Sequence, residues 1–222
     1  MHVNMLEALR ENRLLAIIRL RKSHSPDTLL KALAALAAGG IRLAEITIDT
    51  PNALTVVQQY QARSQTELQL GVGTVTRAEQ VAQVSSSQAS FIVTPVCVPD
   101  VVSLAKDKGL GVLCGALTPT EIFTAFEAGA DAAKVFPASS LGATYFKQLA
   151  APLSEIPLVA VGGVSVDNAG DYLAAGAVAV AAGSALVADG LLELCDWDDL
   201  TARAAQFVAR VKASGQQQEA SA

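Results

Sequence analysis

The chain of 222 residues carries 16 Lys and Arg against 21 Asp and Glu, a formal net charge of −5, with 51% hydrophobic and 17% charged residues. That balance excludes a disordered chain, supplies apolar material for a sizeable α/β core, and without a basic cluster argues against nucleic acid or an anionic membrane as partner. Cys97, Cys114 and Cys195 are odd in number, far apart and lack a CxxC spacing, and His2 and His24 are the only histidines; the chain is expected to hold no disulfide framework, metal or other cofactor, and to suit a reducing, cytoplasmic setting.

Taken in order, residues 5–12 read as a short helix, and with Glu7, Arg10 and Glu11 they do not form a signal peptide. Residues 14–19 are an apolar strand ending on Arg19. Ser25-Pro26 opens a helix, as N-cap and first helical residue, that stops at Gly39-Gly40. Residues 41–48 form a second strand with Glu45 inside it, followed by a helix over 52–63. A third strand over 68–74 precedes a helix from Arg77, and a fourth over 91–95 precedes a helix over 99–108. The fifth strand, 110–116, leads into a helix capped by Thr118-Pro119-Thr120-Glu121 and ended by Gly129. A sixth strand contains Lys134, a seventh spans 158–163 and an eighth spans 177–182, with helices around 145–149 and over 167–175 between them. Gly183-Ser184 is expected to open a short helix, residues 198–212 form the last, and the tail over 214–222 is expected to fray. The uncharged run 172–188 approaches membrane-spanning length, but Gly176 and Gly183 break it into a helix end, a strand and a turn.

Eight strand–helix units without a composition break imply one domain over 1–222, a parallel (β/α)₈ TIM barrel with a short N-terminal helix. A doubly wound open sheet is the alternative, weakened because no Gly-x-Gly-x-x-Gly or Walker sequence follows the first strand. In such a barrel chemistry gathers at the C-terminal ends of the strands. Those ends present Arg19, Glu45, Thr74, Pro95, Lys134 with Phe136, Gly162-Gly163 and Gly183-Ser184. A lysine inside an apolar strand must pair, lose its proton or react, and a desolvated amine is the usual nucleophile toward a carbonyl. Singly, each charge has an ordinary structural reading: Lys134 snorkelling at a strand end, Arg19 capping a strand, Glu45 in a salt bridge. Together at one mouth they are costly to bury without a task. The glycine pairs after strands seven and eight offer bare backbone N–H groups where barrels hold phosphate, or are two ordinary tight turns.

The segments 16–19, 44–47, 71–75, 91–95, 118–121, 134–138 and 161–164, in this order, make the chain resemble the class I aldolases of 2-keto-3-deoxy-6-phosphogluconate and 4-hydroxy-2-oxoglutarate over nearly its whole length. The resemblance implies a metal-free homotrimeric lyase that cleaves a keto-deoxy-phosphosugar acid to pyruvate and an aldehyde. It implies Lys134 as the Schiff-base lysine and Glu45 as general acid/base. Arg19 and Thr74 would hold the carboxylate, Pro95 and Phe136 would pack on the pyruvyl carbons, and Gly162, Gly163, Gly183 and Ser184 would take the phosphate. Two positions depart from the gluconate enzymes: Asp49 stands where an arginine is common, and Val161 where a threonine is. Both resemble the 6-phosphogalactonate sister enzymes and bear on the distal end of the substrate. The competing readings are a phosphosugar isomerase or epimerase using Glu45 alone as base, and a non-catalytic barrel that binds sugar acids.

Overall fold

The computed structural model of the chain describes residues 4–63 and 67–219. Eight strands pair in parallel around a closed barrel: β1 (Leu14–Ile18), β2 (Leu43–Thr47), β3 (Gln69–Gly73), β4 (Phe91–Val93), β5 (Gly111–Ala116), β6 (Ala132–Val135), β7 (Leu158–Val161) and β8 (Ala179–Ala182). The helices alternate with them: α1 (Met5–Asn12), α2 (Pro26–Ala38), α3 (Ala53–Gln61), α4 (Ala78–Ser86), α5 (Pro99–Asp107), α6 (Pro119–Glu127), α7 (Gly142–Ala150), α8 (Ala169–Ala174), α9 (Asp189–Glu193) and α10 (Trp197–Glu219). This is the expected (β/α)₈ architecture. Among the described residues no helix is long and apolar enough to cross a membrane.

The start signals act as their chemistry requires. Ser25 accepts a hydrogen bond from Thr28 N with Pro26 at the first position of α2, and Thr118 and Glu121 form a reciprocal capping box on α6. Two expectations differ. Gly183-Ser184 opens a turn, not a helix: Gly183 O accepts from both Leu186 N and Val187 N, and those two buried side chains fold the segment onto the core before α9 begins. The tail beyond 214 continues α10 as far as Glu219, with Ser214 buried and its hydroxyl donating to Arg210 O.

Alternation along the strands divides the core in two. One set of side chains meets the helices. The other fills the barrel: Leu15, Leu43, Phe91, Val93, Leu113, Val159 and Val161 are joined by Met5, Ala8 and Leu9 of α1, which closes the end where the strands begin. Glycines on β3 and β5 let this narrow interior take large groups. A Cβ on Gly71 would stand 2.3 Å from the Phe91 ring, and one on Gly73 would stand 2.7 Å from the Glu45 carboxyl carbon. At Gly115 the obstacle is backbone, 2.3 Å from the Pro95 carbonyl carbon, so nothing flexible can give. Gly115→Ala is therefore expected to destabilise the fold by about 1–3 kcal/mol, the usual cost of overpacking, seen as a lowered urea midpoint with an unchanged slope; an unshifted midpoint would contradict this packing.

Candidate active site

Arg19, Thr74, Pro95 and Phe136 all lie just past the last residue of their strands, while Glu45 and Lys134 lie inside β2 and β6. The register places Glu45 between Ile17 of β1 and Gly71 of β3, and Lys134 between Gly115 of β5 and Val159 of β7. Position within the strand, with even numbers outward and odd inward on β2 and the reverse on β6, sends both into the barrel. They meet in a cavity of about 560 Å³ at the strands' C-terminal ends, whose wall also includes Arg19, Pro95, Phe136, Val161, Gly162, Gly163, Gly183 and Ser184.

Glu45 is 1% exposed and Lys134 5%. Burial is the largest influence on both, and it disfavours each charged form: it raises the Glu45 pKa above the ordinary carboxyl value and lowers that of Lys134 below the ordinary amine value. Their mutual attraction opposes both shifts, and the Arg19 charge lowers both. The two groups thus titrate as a linked pair, biased toward neutral amine and neutral acid. Glu45 Oε2 is buried and, among the described residues, meets no hydrogen-bond donor, an uncommon state for a buried polar atom. The Phe136 ring centroid lies 5.2 Å from Lys134 Nζ and the ring is half-exposed, forming a wall beside the amine.

Arg19 is exposed and donates from Nη2 to Thr74 Oγ1 at 2.7 Å. Thr74 has φ +62°, a left-handed conformation that a β-branched residue adopts at a cost of about 1–3 kcal/mol and that clusters at functional sites. The surrounding loop holds it there, with Val75 N bonded to Val93 O and the Gln80 carboxamide oxygen accepting from Thr76 N and Arg77 N. Gly162 and Gly163 have φ +95° and +72°, and a Cβ on Gly163 would stand 2.4 Å from Ser139 Cβ, so this corner of the cavity is bare backbone by necessity.

Neither Asp49 nor Thr74 lines the cavity; Thr74 is tied to it through its hydrogen bond with Arg19. Asp49 occupies the exposed corner of a turn closed by Thr50 N donating to Thr47 O. Conversely Ile17, Val164, Ser165, Ala181, Ala185, Val187 and Ala188 line the cavity and were not singled out. Ile17 and Ala181 were findable by alternation, two residues before Arg19 and Gly183; the rest lie on loops that carry no such period. Among the described residues no group of His, Cys, Asp and Glu is arranged to hold a metal ion. No cysteine lines the cavity: Cys114 packs on the helix side of β5, where burial pushes its thiol up to about 12.

The family model of the KDPG and KHG aldolases matches residues 5–203. A 2-dehydro-3-deoxy-phosphogluconate aldolase of Haemophilus influenzae is 32% identical over 197 residues, 88% of this chain and 91% of that protein. The 2-dehydro-3-deoxy-6-phosphogalactonate aldolase of Escherichia coli K12 is 35% identical over 181 residues, 79% of this chain and 86% of that protein. A solved structure described as native KDPGal superposes with a TM-score of 0.82 at 34% identity, covering 91% of this chain and 96% of that one.

Proposed function

The chain belongs to the KDPG and KHG aldolase family, and from that premise we propose that it is a class I aldolase, a lyase that cleaves a 2-keto-3-deoxy-6-phospho sugar acid to pyruvate and glyceraldehyde 3-phosphate. One observation carries the proposal: an amine and a carboxyl group from opposite sides of the barrel are buried in the same cavity with their pKa values moved toward the neutral forms.

The chemistry follows from those two groups. The neutral Lys134 amine adds to the C2 carbonyl of the keto acid, and loss of water leaves a protonated imine. That cation takes up the electron pair of the C3–C4 bond as it breaks, giving an enamine. Glu45 as carboxylate accepts the proton of the C4 hydroxyl, releasing the aldehyde, and as carboxylic acid returns a proton to C3 of the enamine. Water then releases pyruvate and regenerates the amine. Arg19, braced by Thr74, binds the substrate carboxylate; Pro95 and Phe136 pack on the pyruvyl carbons; Gly162, Gly163, Gly183 and Ser184 take the phosphate. A half-exposed apolar pair on α6, Phe123 and Phe126, supports assembly with further copies as the homotrimer that the resemblance implies.

A coupled assay of pyruvate release from the 6-phosphogluconate-derived, 6-phosphogalactonate-derived and unphosphorylated keto acids tests the proposal. Turnover of at least one supports it, and turnover of none refutes it. Binding of pyruvate without turnover would favour a sugar-acid-binding barrel, and interconversion without cleavage an epimerase.

The cavity wall also speaks to selectivity. Val161 is buried and lines the cavity, and an apolar contact beside a substrate hydroxyl distinguishes its epimers weakly. Cleavage of both C4 epimers is expected, with kcat/KM values within about two decades of each other. Val161→Thr should move the ratio toward the gluconate-derived substrate and leave pyruvate affinity unchanged. Strict wild-type specificity for one epimer would show that another contact decides.

A further inference from the structure

Arg19 is a long, exposed side chain attached one residue beyond the end of β1, and its hydrogen bond crosses the end of β2 to reach Thr74 after β3. Such a side chain is placed well only if its backbone is fixed. On one side it is: Ile18 is in register with Ile46 of β2. On the other side β1 has ended, and the N–H of Leu20, a buried residue, donates instead to Thr50 Oγ1 at 3.1 Å. That hydroxyl lies 3.0 Å from Thr47 Oγ1, both threonines are at most 3% exposed, and their turn is closed by Thr50 N donating to Thr47 O at 2.8 Å. The pair extends the β1–β2 pairing by one side-chain bond, one residue beyond Arg19.

We propose that Thr50, supported by the Thr47 hydroxyl, is a positioning residue for Arg19, fixing the backbone from which the guanidinium reaches Thr74 and leaving its other donors aimed for the carboxylate of the keto acid. The inference rests on the reading in which Arg19 binds that carboxylate. A methyl group in place of the hydroxyl preserves the shape of the turn but leaves the buried Leu20 N–H without its acceptor, so the segment must shift to find another. The effect belongs to binding, since neither threonine lines the cavity that holds Lys134 and Glu45.

The test is Thr50→Val and Thr50→Ser, each in the wild-type and Arg19→Ala backgrounds, with steady-state cleavage and with half-saturation of borohydride trapping by pyruvate. Thr50→Val should raise KM and the trapping half-saturation about tenfold, the effect of one lost hydrogen bond, and leave kcat within about twofold; Thr50→Ser should restore both. In the Arg19→Ala background Thr50→Val should add nothing, because its route to the substrate is already gone. An additive effect there, or a loss of thermal stability with KM unchanged, would overturn the proposal and leave a turn clamp. If Arg19→Ala itself leaves the trapping half-saturation unchanged, it is the carboxylate reading of Arg19 that fails, and a KM effect of Thr50→Val in that case also overturns the positioning role. Should Thr50→Val not fold, Thr47→Val removes the supporting hydroxyl from the same pair and is expected to raise KM with the same dependence on Arg19.

Discussion

Lys134→Ala is expected to fold as the wild type does and to lose aldol cleavage by about 10⁴-fold or more, the scale on which removal of a covalent nucleophile acts. Folding should survive because the change deletes a buried amine that the fold pays to desolvate, while Val159 and Gly115 of the neighbouring strands keep the register. Chemistry should not survive, because no other group lining the cavity can form an imine. Borohydride with pyruvate should reduce the wild type to a stable adduct on Lys134 and leave the variant unmodified, read by mass. The pH dependence has a defined sign. Burial lowers the Lys134 pKa, so the nucleophilic amine is present at lower pH than for an ordinary lysine, and wild-type trapping should fall as pH drops through that depressed value while remaining high above it. Cleavage by the variant at wild-type rate, or trapping that strengthens on acidification, would end the Schiff-base reading.

The residues legible from the sequence are those whose type contradicts their surroundings. Lys134 and Glu45 are charges in apolar strands, and strand periodicity fixes which way they point. Arg19, Pro95 and Phe136 follow, because a strand's end in a barrel is where function collects. Thr74 was legible as a strand-end residue, but not its left-handed backbone: threonine has no preference for that region, and the conformation is imposed by the hydrogen bonds of residues 75–80. Asp49 shows the reverse. The resemblance pointed it toward the distal end of the substrate, yet the Thr47–Thr50 turn carries it to an exposed corner, and turn geometry of this kind depends on a hydroxyl pair and a distant N–H donor that no local pattern announces. The Gly183-Ser184 turn was misread for a related reason: glycine followed by serine is a fair helix start, but the buried Leu186 and Val187 determine the path. The interior glycines of β3 and β5 are invisible as such until their neighbours are known, since only Phe91, Glu45 and Pro95 explain why no side chain fits at Gly71, Gly73 and Gly115.

Glu45→Gln is expected to lower kcat by about 10²–10⁴, the share that a positioned general acid/base supplies, while imine formation with pyruvate continues more slowly. The substitution is nearly isosteric, which matters in a site where the carboxyl group is packed so closely against Gly73 that a Cβ there would stand 2.7 Å from its carboxyl carbon; a lost rate is then a lost proton transfer and not a rearranged wall. An amide cannot accept the C4 hydroxyl proton or return one to the enamine, so both halves of the cycle stall at the same residue. The raised pKa of Glu45 suits it to both tasks, since acid and base forms then coexist closer to neutral pH than for an exposed glutamate. Glutamine should also remove the attraction that partly restores the Lys134 ammonium, so the amine pKa should fall further and the acid limb of pyruvate trapping should move to lower pH. A loss of less than tenfold in kcat would assign the proton transfer to another group, and an acid limb that moved upward would show that Glu45 does not act on Lys134 through its charge.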